Sequence, residues 1–189
     1  MFRVSWLLVG VLCLAQGLGC RGATEAVVDE APPSAVSTDF SRLPDLLTGI
    51  QKSAKVVLYA GLPSEFWEPE LRAKDLARKE TLDVHGHPVY EEPLALSDAD
   101  AEKLTALFSA SESFLSIDNN RRKKCGGFTA EYCVEWTTGE KVTQLLICLE
   151  CGDAMLFGPQ SDLHCDLSPD AAQRLTELLT PYRTSSPSE

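Results

Sequence analysis

The chain has 189 residues, with 17 Lys and Arg against 28 Asp and Glu, a net charge of −11. Phosphate-backbone binding needs clustered cations, so this balance excludes a nucleic-acid-binding protein and argues against attraction to anionic membrane surfaces. The length allows one ordinary domain with a real core.

Residues 1–20 open with one cation, Arg3, then an apolar run over 4–15, then Gly17, Gly19 and Cys20. A basic start, an apolar middle and a small-residue cleavage region are the layout of a secretory signal. The run is shorter than the about 20 residues that a membrane-spanning helix needs. Gly19 and Cys20 fit a bacterial lipobox, in which Cys20 becomes the lipidated first residue. Gly17 stands where Leu is usual and Leu18 is larger than usual, so an ordinary cut after Gly17 or Gly19, or an uncleaved anchor, are the alternatives. The reading adopted is a signal peptide over 1–19, lipidation at Cys20 and display outside a bacterial membrane or in the periplasm.

Residues 20–42 read as a disordered tether. They carry Glu25, Asp29, Glu30, Pro32 and Pro33 with little apolar periodicity, too little to offset ordering entropy. The ordered domain is expected over 43–183, with a disordered tail over 184–189. Within it, 44–50 reads as a short helix, and the β-branched run 55–60 as a strand ending at Gly61. Residues 69–79 have helical composition, with Leu71 and Leu76 as weak apolar marks. Residues 87–96 read as a strand that Pro93 assigns to a sheet edge.

Ser97 caps the next helix, with Asp100 placed for a capping box and Leu104, Leu107 and Phe108 as its apolar stripe. Residues 128–136 alternate strictly. Phe128, Ala130, Tyr132, Val134 and Trp136 share the buried face, and Thr129, Glu131, Cys133 and Glu135 the polar one. Three more strands follow at 142–149, 154–157 and 162–167. The last helix has Ser168 as cap, Pro169 at its first position and Leu175, Leu178 and Leu179 inward. The expectation is a single α+β domain: a four-stranded antiparallel meander with flanking helices.

Besides Cys20, the mature chain holds Cys125, Cys133, Cys148, Cys151 and Cys165. Cys165 alternates with leucines and reads as a small buried hydrophobe. Cys133 falls on the polar face of its strand, and Cys148 faces outward if Leu145, Ile147 and Leu149 face inward. In an oxidising compartment, Cys125 bridged to Cys148 or Cys151 is the first expectation, with Gly126 and Gly127 giving the chain room to turn back. Cys148-Leu-Glu-Cys151-Gly152 also has the form of a metal knuckle or a redox dithiol. The knuckle lacks a second such pair, and the dithiol lacks the helix that should follow it.

Arg121-Arg122-Lys123-Lys124, the only basic run, reads as a solvated loop beside Cys125. His85-Gly86-His87 offers two imidazoles, but Gly86 and Pro88 favour a turn over a metal site. Trp67 and Trp136 both read as core. No nucleophile elbow, P-loop, dinucleotide fingerprint or H-E-x-x-H is present.

The pattern Lys124-Cys-Gly-Gly-Phe128, Glu131-Tyr132, Glu135-Trp136, Ile147-Cys148-x-x-Cys151 and Phe157-Gly158-Pro159, with 57–63 and 90–93 before it, resembles a group of uncharacterised bacterial exported proteins. The resemblance spans about 55–183 and implies no activity. The functional expectation is an extracytoplasmic binding or structural protein, not an enzyme, with no cofactor and no nucleic acid, held to the membrane through its lipid alone. The alternative is a thiol-redox or metal-binding protein using Cys125, Cys148 and Cys151.

Overall fold

Eight antiparallel strands form one sheet in the order β2-β3-β1-β5-β6-β7-β8-β4. The computed structural model describes residues 35–117 and 127–185. The strands are β1 (Lys55–Gly61), β2 (Thr81–Val84), β3 (His87–Pro93), β4 (Phe114–Leu115), β5 (Tyr132–Thr138), β6 (Lys141–Cys148), β7 (Asp153–Phe157) and β8 (Asp162–Leu167). Among the described residues four α-helices accompany them: α1 (Leu43–Gln51), α2 (Pro69–Arg78), α3 (Asp98–Phe108) and α4 (Pro169–Leu179).

The class is α+β, but the sheet is not the expected four-stranded meander. β5 to β8 make up only one stretch of it, extended by β1, β3 and β2 on one side and by β4 on the other. The additions were hidden for physical reasons. β1 joins β5 only through a pairing across more than seventy residues, Leu58 opposite Val134. β2 is four residues of mixed polarity, and β4 is two residues held to β8 by Phe114 opposite Leu167.

Pro93 does not mark an edge. It is the last residue of β3, which lies between β2 and β1, so no interior ladder bond depends on its missing N–H. The β2–β3 turn is His85-Gly86, both at positive φ (54° and 85°), as a two-residue type I′ hairpin requires.

One face of the sheet carries α1, α3 and α4. Leu46, Ile50, Leu104, Phe108 and Leu175 close over Leu58, Val134, Trp136, Leu145, Leu156 and Leu163. Trp136 Nε1 donates to Thr105 Oγ1 at 3.0 Å, fixing α3 over β5. An added Cβ on Gly49 would lie 2.2 Å from Thr143 Oγ1, so a side chain there would hold α1 off the sheet.

The other face is not open. The sheet curls, and the β2–β3 hairpin crosses it: His85 stacks on Phe157 with ring centroids 3.8 Å apart, and its Nε2 meets Gln144 Oε1 at 3.1 Å. Val84 and Val89 close with Cys133, Leu146 and Met155 into a second core, joined by Val36 and Phe128. Cys133 is therefore fully buried rather than on a polar face, while Glu131 and Glu135 are half-exposed. Residues 35–42, assigned from the sequence to the tether, run against β8: His164 N donates to Ser37 O at 2.7 Å, and Arg42 pairs with Asp162 at 2.8 Å.

Candidate functional site

A concavity of about 520 Å³ opens beside α2. Its wall is assembled from the end of β1, the following loop, α2, Tyr90 of β3, the segment entering β5, and the β6–β7 turn. The buried floor is Ala60, Leu62, Tyr90, Tyr132 and Cys148; the exposed rim is Trp67, Glu68, Leu71 and Glu150. The volume falls in the range of small-molecule sites.

Each wall has a local cause. At the end of β1 the register with β3 shifts between Tyr59 and Gly61. Gly61 presses against the backbone, where a Cβ would stand 1.6 Å from Ala130 O, and its N–H donates to Glu131 O at 2.8 Å. That contact brings residues 129–132 to the pocket. Pro63 and Pro69 bound the loop that carries Phe66 and Trp67.

α2 is held by a polar anchor rather than by leucines. Asp75 is its one buried residue, hydrogen-bonded by Tyr90 Oη and by Lys79 Nζ at 3.2 Å. Burial pushes the Asp75 carboxyl up, but the Tyr90 and Lys79 bonds outweigh it and leave it below its ordinary value. The Tyr90 phenol is raised by burial, then by its hydrogen bond to the Asp75 carboxylate and by that carboxylate's charge. Leu71 and Leu76, read as marks of a packed side, are both exposed.

Trp67 is a second correction. It is 57% exposed and Phe66 61%, their rings edge-to-face at 4.6 Å, while Trp136 is core. The signal was present in the sequence: two adjacent aromatics in a proline-bounded loop among Glu65, Glu68 and Glu70 have no periodic partners to pack against.

Of the predicted cysteines, Cys148 and Cys151 come together at the β6–β7 turn and pack with Phe128. Cys148 lies outside the main core cluster but is buried rather than exposed, packed with Cys151 and Phe128. Its thiol is pushed up by burial against partial relief from the Thr129 and Cys151 N–H groups. Cys151 Sγ sits 3.9 Å from Gly127 O. Cys165 is enclosed in the main core. Cys133, Cys148 and Cys165 carry thiols rather than bridges. Cys20, Cys125 and the run Arg121–Lys124 lie outside the described residues.

The two imidazoles meet different rings of the second core. His85 stacks on Phe157, whereas His87 sits edge-on to Phe128 at 5.0 Å, its basicity lowered chiefly by burial. Farther along the curled face, Asp153 opposes Asp166 in register, and His164 Nε2 stands 3.7 Å from Asp153 Oδ2. Among the described residues no three His, Cys, Asp or Glu side chains converge as metal ligands. Comparison of the chain with protein-family models, curated proteins and solved structures found no match in any of the three.

Proposed function

We propose that this chain is an extracytoplasmic binding protein, lipid-anchored at Cys20, whose ligand enters the pocket beside α2. One observation carries the reading: a pocket of about 520 Å³ has a buried apolar floor and an indole standing out at its rim. A solvent-exposed Trp beside a concave apolar floor is surface that ligand burial would stabilise. The thiol reading is weaker, because Cys148 is closed off and its thiolate disfavoured by burial.

Trp67 is also the reporter. Without the signal peptide the chain has only Trp67 and Trp136, and Trp136 is wholly buried. Native mass spectrometry of gently isolated mature protein should show a bound small molecule, and Trp67 emission should shift to shorter wavelength as that molecule is added back. Trp67→Ala should abolish retention with the fold intact. No retained molecule, together with Trp67 emission unmoved by every fraction of the cell envelope, would overturn the reading.

A further inference from the structure

We infer that the pocket takes an organic ammonium group carried on an apolar body, an inference that rests on the pocket being the binding site and names its ligand class. The charged residues among the described lining are Glu68, Glu131 and Glu150, with no Lys, Arg or His. The aromatic lining is Trp67, Tyr90, Tyr132 and Tyr182. Ring faces attract cations, and carboxylates beside them add to that attraction, whereas an anion would be repelled by both.

The nearby cations are turned elsewhere. Arg72 reaches back to Pro63 O at 3.1 Å, and Lys79 pairs with Asp75 at 3.2 Å. Lys79 already lies over the Tyr90 ring, 4.9 Å from its centroid, so one face of that aromatic meets an ammonium within the chain itself. The depth profile orients the ligand. Glu68, Glu150 and Trp67 are at the exposed rim, and Ala60, Leu62 and Tyr132 are on the buried floor. The ammonium therefore stays at the rim, where it keeps part of its hydration, and the apolar body goes inward.

The test compares 2-phenylethylamine with 3-phenylpropionate, similar in shape and opposite in charge, by Trp67 emission and calorimetry on the mature protein. The amine should bind saturably and the carboxylate at least about tenfold more weakly, the ratio set by roughly one favourable charge contact. Glu68→Gln and Glu150→Gln should each weaken the amine several-fold without changing the melting temperature, and added salt should weaken it further. The same ammonium can belong to a free amine or a lipid headgroup. Vesicles of phosphatidylethanolamine against vesicles of phosphatidylglycerol, competed with free 2-phenylethylamine, tell these sources apart.

Equal binding of the two probes, or Gln variants that hold the amine as tightly as the parent, would overturn the ammonium assignment. So would a retained envelope ligand that carries no cation, and in that case the pocket would stand as the binding site. Only an unoccupied pocket with silent Trp67 would remove both.

Discussion

Gly61 shows how much one residue fixes here. An added Cβ would fall 1.6 Å from Ala130 O and 2.7 Å from the Ala130 carbonyl carbon, both backbone atoms that cannot turn aside. Gly61→Ala should therefore cost about 3 kcal/mol in urea unfolding, as overpacking against a backbone does. It should also weaken ligand binding, because Ala130 and Glu131 lead directly into the pocket wall. An unchanged denaturation midpoint would refute the close approach. Asp75 is the polar counterpart. Tyr90→Phe removes the phenol from a buried carboxylate and should destabilise by about 1–3 kcal/mol. The loss should fall on α2 first, read as faster amide exchange over Pro69–Arg78 than over α3. The thiols differ in the same local way. Cys133 is pushed up to about 12 by burial and then by Glu135, so it should resist alkylation in the native state.

At the scale of elements, α3 depends on a cap that recruits a distant residue. Ser97 Oγ accepts from Asp100 N at 3.1 Å and donates to Asp100 Oδ2 at 2.9 Å, while Ser97 N donates to Tyr182 Oη at 3.3 Å. Tyr182 Oη in turn donates to Asp100 Oδ2 at 2.8 Å. Tyr182 thus completes the capping box through a third residue, and ties the chain after α4 to the start of α3. The Lys103 bond, then those of Tyr182 and Ser97, hold the Asp100 carboxyl at about 2, below its ordinary 3.8. A depressed carboxylate stabilises the fold above its unfolded pKa and loses that contribution as pH falls through its folded one. The melting difference between the parent and Asp100→Asn should hence be full above pH 3.8 and shrink toward about 2. A difference that stays constant across that window would refute the linkage. Such caps were legible in the sequence because they are local: Ser97 with Asp100, and Ser168 with Ala171, act within three residues. The alternation of Tyr132, Val134 and Trp136 was legible for the same reason. The hairpin that folds over Cys133 was not, since His85 meets Phe157 only after the sheet has curled. The pocket lay beyond reach on the same grounds, because its walls come from segments that adjoin only in the finished fold.

For the whole molecule, the proposed export bears directly on the cysteines. If the chain is exported and lipidated at Cys20, as proposed, five further cysteines meet an oxidising compartment, and three of them, Cys133, Cys148 and Cys165, carry thiols inside packed surroundings. That leaves Cys125 with Cys151 as the bridge we propose. Cys151 Sγ stands 3.9 Å from Gly127 O. Gly127 follows Cys125 by two residues, a stretch that spans at most about 7 Å. The bond would pin residues 125–127 to the β6–β7 turn, next to Cys148 on the pocket floor. Reduction should then lower stability by roughly 3 kcal/mol in the chain-entropy view and loosen the pocket wall, weakening ligand binding in step. Cys125→Ser and Cys151→Ser should each reproduce the reduced protein and make it indifferent to reductant, whereas Cys148→Ser should leave the response to reductant intact. Intact mass should rise by two hydrogens on reduction. Native alkylation of Cys151 without reductant, with melting unmoved by reductant, would refute the bridge. Stoichiometric zinc lost to a chelator from the same sample would put the knuckle reading of Cys148 and Cys151 in its place.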